Sequence, residues 1–147
     1  MTDIVDQSTR SRMMAAIGGR NTKPEIVLRR ALHSLGFRFR LHSKQVFGRP
    51  DIVLAKHNAA IFVHGCFWHR HEGCRYKTTP ASRREFWVSK FEANVARDAV
   101  VRATLLERGW RVAVVWECAL RKPDQILVES QRLSSWLLSR ENEIEIG

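Results

Sequence analysis

A chain of 147 residues with 25 lysines and arginines against 15 aspartates and glutamates, a formal charge of +10, has the size for one sizeable core and the charge for a polyanionic partner. Its apolar share of 44% excludes an intrinsically disordered chain, and no apolar run approaches the roughly 20 residues that span a bilayer. Asp3, Asp6 and Arg10 open the chain without an apolar run, which does not resemble a secretory signal and leads to the expectation of a cytoplasmic protein with reduced cysteines. Nineteen of the 25 basic residues are arginines, whose planar fork suits bidentate contacts to phosphate and guanine.

Residues 1–20 are polar and basic, with Met13, Met14 and Ile17 as the large apolar residues after Val5; they read as an N-terminal arm. Thr22-Lys23-Pro24-Glu25 is a helix start, with threonine as cap, proline in the first turn and Glu25 returning a bond to the cap. Ile26, Val27, Leu28, Ala31, Leu32 and Leu35 give that helix an apolar face, and Gly36 stops it. Phe37 to Leu41 alternates as a half-buried strand does, Phe47-Gly48-Arg49-Pro50 turns, and Asp51–Ala55 and Ala59–His64 form a hairpin through His57-Asn58. Residues 65–82 are irregular. Ser82 to Glu85 reads as a second capping box, opening a long helix that ends near Arg108 and Gly109. Trp110–Trp116 is a buried strand and Pro123–Arg140 a final amphipathic helix. No repeat or linker divides the chain, so one domain over residues 1–147 is expected. The order α-β-β-β-α-β-α predicts an α/β fold, a mixed sheet with helices on both faces.

Cys66, His71 and Cys74 are spaced for one loop to wrap an ion, and Cys118 follows the last predicted strand. Three thiolates and an imidazole make the closed Cys3His set expected of structural zinc. The alternative is plain burial of small sulfur side chains. Cys118 is the least secure member, because only topology brings it near the other three.

His64, His69 and His71 fall within eight residues. Pairing across the Ala55–Ala59 turn brings Asp51 close to Val63 and His64. Cleaving a phosphodiester calls for a hard cation on carboxylate and carbonyl oxygens, here Asp51 and the main chain near Val63, and for a base that works near neutral pH, here His69 or His64. Glu25 is either part of this site or only a helix cap. Phe67 and Trp68 lie inside the same loop, and large rings there suit the wedges that proteins push between base steps. Phe86 and Phe91 read as facing the core of the long helix. Trp87, about 100° around that helix from Phe86, reads as pointing outward beside Phe67 and Trp68.

Taken together, Thr9-Arg10-Ser11, Gly48-Arg49-Pro50-Asp51, Phe62-Val63-His64-Gly65-Cys66-Phe67-Trp68-His69, Glu85-Phe86-Trp87, Asn94-Val95, Arg97-Asp98 and the Gly109–Leu120 stretch resemble the very short patch repair (Vsr) endonucleases, of the restriction-endonuclease-like superfamily. The resemblance covers roughly residues 8–121. It implies a monomeric enzyme that nicks one strand of duplex DNA beside the thymine of a T·G mismatch left by deamination of 5-methylcytosine. It further implies magnesium on Asp51 and the carbonyl of Val63, His69 as general base with His64 and Glu25 in support, and zinc on Cys66, His71, Cys74 and Cys118. Phe67, Trp68 and Trp87 would intercalate, Lys90 and Asn94 would contact the mismatch, and the arm with Met14 would embrace the DNA from the other groove. Mismatch-repair proteins stand as candidate further partners, and the enzyme would sit on the nucleoid when bound.

Two departures qualify the match. Lys56 is the one Asp, Glu or Lys between residues 52 and 71, so the superfamily's usual second acid and lysine are missing; histidine replaces the lysine in the narrower family too. Some members carry threonine where Val63 stands, which a main-chain ligand tolerates. The rival readings are a non-catalytic zinc-stabilised DNA-binding module, which leaves Asp51 and His69 without a use, and a nuclease whose cysteine-histidine ion is itself catalytic.

Overall fold

The computed structural model describes residues 21–147; the expected arm, residues 1–20 with Met14, lies outside them. Helix α1 (Lys23–Ser34) begins with Pro24 in its first turn, where the missing N–H costs no helical bond. The expected capping box is not formed. Thr22 makes no side-chain cap, and Glu25 accepts instead from the backbone N–H of Asn21 at 2.9 Å. The carboxylate thus reaches back one residue beyond the cap, and it is buried, 1% exposed. Gly36, at φ 91°, closes the other end with N–H bonds from Gly36 to His33 O and from Phe37 to Leu32 O, a left-handed helix stop. Phe37 is thereby tied to the helix, so β1 (Arg40–Leu41) is shorter than the alternation predicts. Leu35 is 43% exposed, beyond the packed face.

β2 (Ile52–Leu54) follows, then a turn over Ala55–His57 closed by Asn58 in the left-handed region, then β3 (Ala59–His64). Helix α2 (Arg84–Glu107) leads to β4 (Arg111–Trp116), and α3 (Pro123–Leu137) to β5 (Glu143–Ile146). The sheet order is β1-β2-β3-β4-β5, antiparallel on the β1 side and parallel from β3 to β5. Of the parallel strands, β3 and β4 are the near-continuous apolar runs that burial on both faces requires.

Alternation along β4 divides the core. Ala113 and Val115 pack with Leu28 and Leu32 of α1 and Leu133, Trp136 and Leu137 of α3. Val112, Val114 and Trp116 face Leu105 of α2 and Cys66. Thus α1 and α3 cover one face and α2 the other. Each fully buried leucine is worth about 1.5–3 kcal/mol in transfer alone, and truncating Leu105 or Leu133 to alanine would cost about 2–5 kcal/mol.

Two expectations about helix ends are corrected. The Ser82–Glu85 box does not open α2: the helix starts at Arg84 after Arg83 at φ 54°, with no side-chain cap. Phe86 is 46% exposed, not in the core, while Phe91 is 4% exposed as expected. Phe86 sits in the first turn, beyond the sheet, under the Arg83 guanidinium at 4.5 Å from its ring centre. The last helix stops at Leu137 because Arg111 caps it, donating to Trp136 O at 2.6 Å and Leu137 O at 3.1 Å. Strand β5 was not expected. Glu-Ile-Glu-Ile does alternate, and Ile146 is fully buried, but four residues at the end of a chain carry a weak signal.

Candidate active site and metal cluster

Beside the β2–β3 hairpin, at the end of β3, lies a cleft of about 1480 Å³ whose wall includes Glu25, His42, Asp51, Val63, His64, His69, Asp98 and the basic Lys44, Arg49 and Arg97. The turn that delivers Asp51 is held close to α2. Gly48 has φ 81°, and a Cβ there would collide with Val101. Asp51 precedes β2, and its Oδ2 accepts the N–H of Val63 at 2.7 Å across the hairpin. Its carbonyl accepts the N–H of His42 at 3.1 Å. Burial, opposed by the Val63 bond and reinforced by the nearby Glu25 carboxylate, pushes Asp51 up to about 7. A carboxylate so placed gains its charged form when a cation arrives.

Glu25 reaches the same cleft from α1. One oxygen takes the Asn21 N–H, and the other contacts the His42 imidazole, with Arg29 at 3.6 Å. His42 was not singled out from the sequence. Its backbone has φ 48°, a conformation that costs a non-glycine residue free energy and that tends to persist at functional sites. Glu25, His42 and Asp51 each present a ligand atom within 4.8 Å of the others.

On the opposite side, the rings of His64 and His69 stack at 3.9 Å and 4°. His64 is 8% exposed; burial, and then the neighbouring His69, hold its pKa down to about 3. A turn with the His69 N–H on Gly65 O at 3.0 Å brings His69 back over β3. His69 Nδ1 lies 2.6 Å from Asp98 Oδ2 on α2, which orients the ring and leaves Nε2 facing other partners. Asp98 lies in the Arg97-Asp98 pair noted in the sequence, where nothing in the spacing assigns it a role. His64, His69 and Asp98 also place ligand atoms within 4.8 Å of one another.

The loop after β3 turns from this site to a second one. Cys66, His71, Cys74 and Cys118 bring their ligand atoms within 4.8 Å of one another and could hold a metal ion. Cys66 and Cys118 Sγ lie 3.6 and 3.5 Å from His71 Nδ1. Cys118 arrives on the short turn Glu117–Leu120 after β4, and Glu117 accepts the Cys66 N–H at 3.2 Å. The His71 ring stacks on Trp116 at 4.2 Å. Burial pushes Cys66 up to about 12 and Cys118 upward; a cation among the sulfurs reverses that balance.

Phe67 and Trp68, which line the same cleft, belong to an aromatic group. Phe67 lies 5.0 Å from Trp68, 6.0 Å from Trp87 and 5.1 Å from Phe91 between ring centres, and Trp68 lies 5.8 Å from Trp87. Phe67, Trp68 and Trp87 stay half-buried. Arg70 sits 4.0 Å over Phe91 and donates to Thr78 O and Thr79 Oγ1, pinning the loop beneath the rings. Asn94 donates to Trp68 O at 3.2 Å, and Lys90 Nζ lies 6.0 Å from the Trp68 ring. In this conformation both side chains support Trp68.

The chain is similar to known proteins. The family described as DNA mismatch endonuclease Vsr matches residues 2–75. The type II nicking enzyme V.XorIIP of Xanthomonas oryzae pv. oryzae is 50% identical over 120 residues, 82% of this chain and 88% of its own. The DNA mismatch endonuclease Vsr of Escherichia coli is 43% identical over 139 residues, 93% of this chain and 88% of its own. The type II nicking enzyme V.NmeAIP of Neisseria meningitidis is 43% identical over 121 residues, 82% of this chain and 86% of its own. A family match over half the chain, with a relative 43% identical over 93% of it, settles its kinship: the chain belongs to the Vsr family of DNA mismatch endonucleases.

Proposed function

We propose that this protein is a magnesium-dependent endonuclease that nicks one strand of duplex DNA beside the thymine of a T·G mismatch arising from 5-methylcytosine deamination, opening very short patch repair. The observation that carries this reading is the convergence on one cleft of Asp51, bonded to the Val63 amide, with His69, bonded to Asp98. One presents a carboxylate suited to a hard cation, the other an imidazole whose orientation is set from behind. The names of the relatives point to mismatch-directed nicking, and the +10 charge suits a polyanionic substrate. The mixed sheet with helices on both faces is compatible with a restriction-endonuclease-like fold.

Asp51 and the Val63 carbonyl would hold magnesium, which when bound supplies positive charge to the scissile phosphate. Asp98 fixes His69 so that Nε2 can take the proton of the attacking water. His64 lies flat under His69, and its depressed pKa keeps it uncharged at working pH. Glu25, held by Asn21 and His42, supports the cation side. Phe67, Trp68 and Trp87 form the wedge, with Lys90 and Asn94 beside it and the arm with Met14 on the other groove.

Zinc suits the cysteine cluster. In a tetrahedral site with Zn–S near 2.3 Å and Zn–N near 2.0–2.1 Å, sulfur and nitrogen ligands stand about 3.6 Å apart, and the two separations here are 3.6 and 3.5 Å. No helix among the described residues is long and apolar enough to cross a membrane; a monomer acting on cytoplasmic DNA, with mismatch-repair proteins as further partners, is the setting proposed. The test is cleavage of duplexes each carrying one mismatch in varied flanks, with magnesium. Nicking confined to T·G substrates, and lost in Asp51→Ala and His69→Ala while DNA binding persists, is expected. Equal cutting of paired DNA would overturn the repair reading.

A further inference from the structure

We infer that His64, His69 and Asp98 form a second-use metal site: a pocket for a borderline divalent cation such as Zn2+ or Ni2+ that silences the nuclease by occupying its base. Two imidazoles and a carboxylate with ligand atoms within 4.8 Å of one another are a two-histidine, one-carboxylate set, the kind that binds imidazole-seeking metals and leaves open positions for water. The set is distinct from Glu25, His42 and Asp51, whose two carboxylates favour a harder cation.

His64 and His69 stack in parallel at 3.9 Å, so their in-plane lone pairs run side by side, and one ring turns out of the stack for both to reach a single ion. His69 Nδ1 and Asp98 Oδ2 are 2.6 Å apart. Two ligands on a tetrahedral zinc stand about 3.4 Å apart, given bonds of about 2.0–2.2 Å, so that pair opens by less than about 1 Å. Access is available, since the side chains of His69 and Asp98 are 30% and 27% exposed on the wall of the cleft. The backbone is held on both sides, by β3 under His64 and by the middle of α2 under Asp98.

Capture ends catalysis whichever ring nitrogen of His69 the metal takes. On Nε2 the metal uses the lone pair that would accept the water proton. On Nδ1 it displaces the proton shared with Asp98, which moves to Nε2 and blocks it there. No bond to DNA and no redox change is involved, and the effect reverses when the metal leaves. This consequence rests on His69 being the base; the binding itself does not.

The experiment adds Zn2+ by titration calorimetry to full-length protein whose cysteine cluster is already zinc-filled, in excess Mg2+, and follows T·G nicking in parallel. The wild type is expected to bind one more equivalent than Asp98→Asn or His64→Gln, with the retained fold of each variant checked by circular dichroism, and to lose nicking at least tenfold as that equivalent binds. Unchanged stoichiometry and affinity in both variants would overturn the site. Binding lost in the variants, with wild-type nicking indifferent to the bound metal, would keep the site and overturn the assignment of His69 as base.

Discussion

The Glu25 carboxylate and the His42 imidazole are bonded across 17 residues of sequence, joining the first turn of α1 to the loop after β1. His42 in turn gives its backbone N–H to the Asp51 carbonyl, so one residue touches both acids of this cluster. Ala at position 42 would leave a carboxylate that is 1% exposed without one of its partners, a loss of about 1–3 kcal/mol. Disturbing such an outer contact lowers metal affinity or activity by about 10–100-fold. His42→Ala is therefore expected to weaken Mg2+ dependence within that range, and His42→Gln, which keeps a donor, by much less. Mg2+ titrations of nicking rate decide it. Parent-like behaviour of His42→Ala would show that Glu25 needs no help from this ring.

Asp51 yields a stability prediction. Its folded pKa, about 7, lies above the ordinary 3.8, so its contribution is fully present below about pH 4 and is lost as pH rises through about 7. The shift is worth on the order of 2–4 kcal/mol once residual solvent access is allowed for. Without metal, Asp51→Asn should melt above the parent at pH 8, equal it near pH 4, and lose its advantage when Mg2+ is added. Thermal scans at the two pH values provide the measurement; a parent that is the more stable at pH 8 sinks the idea.

His64 has the opposite sign. Its folded pKa, about 3, lies below the ordinary 6.5, so the stability it contributes is present above about pH 6.5 and disappears as pH falls toward 3. His64→Gln removes the titrating group, and its unfolding free energy should fall less steeply between those values. Urea midpoints taken at intervals across that window test this. Parallel slopes for parent and variant would mean that the buried ring takes up its proton without resistance.

The cysteine cluster ties the loop 66–74 to the turn after β4 through Cys118. Stripping its ion with a chelator, and then restoring Mg2+ alone, should lower Tm by roughly 10 °C, since a chain of this size shifts about 2–4 °C per kcal/mol and metal sites contribute directly to folding. Cys118→Ser should do the same without chelator. Elemental analysis showing no zinc, together with an unchanged Tm, would remove the cluster from the account.

What could be read along the chain was whatever depends on neighbours. The Pro24 start, the Gly36 stop and the apolar run of β3 are local chemistry, and the predicted β3 boundaries coincide with those observed. So was the spacing of Cys66, His71 and Cys74, since one loop suffices to bring them together. The two capping boxes were misread because a Ser or Thr followed three residues later by Glu is necessary for that motif and insufficient: Glu25 was drawn into the cleft, and the left-handed Arg83 displaced the start of α2.

Tertiary structure decided the pairings between elements. His42 with Glu25, His69 with Asp98 across 29 residues, and Cys118 with His71 across 47 depend on which helix covers which face and on strand register, not on spacing. Parallel pairing of β4 with β5 belongs to the same class, because its hydrogen bonds form only after α3 has crossed back over the sheet. Residue types and their local order supplied the chemical groups; the packing of α1 and α2 on opposite faces of one sheet aimed them at the same cleft.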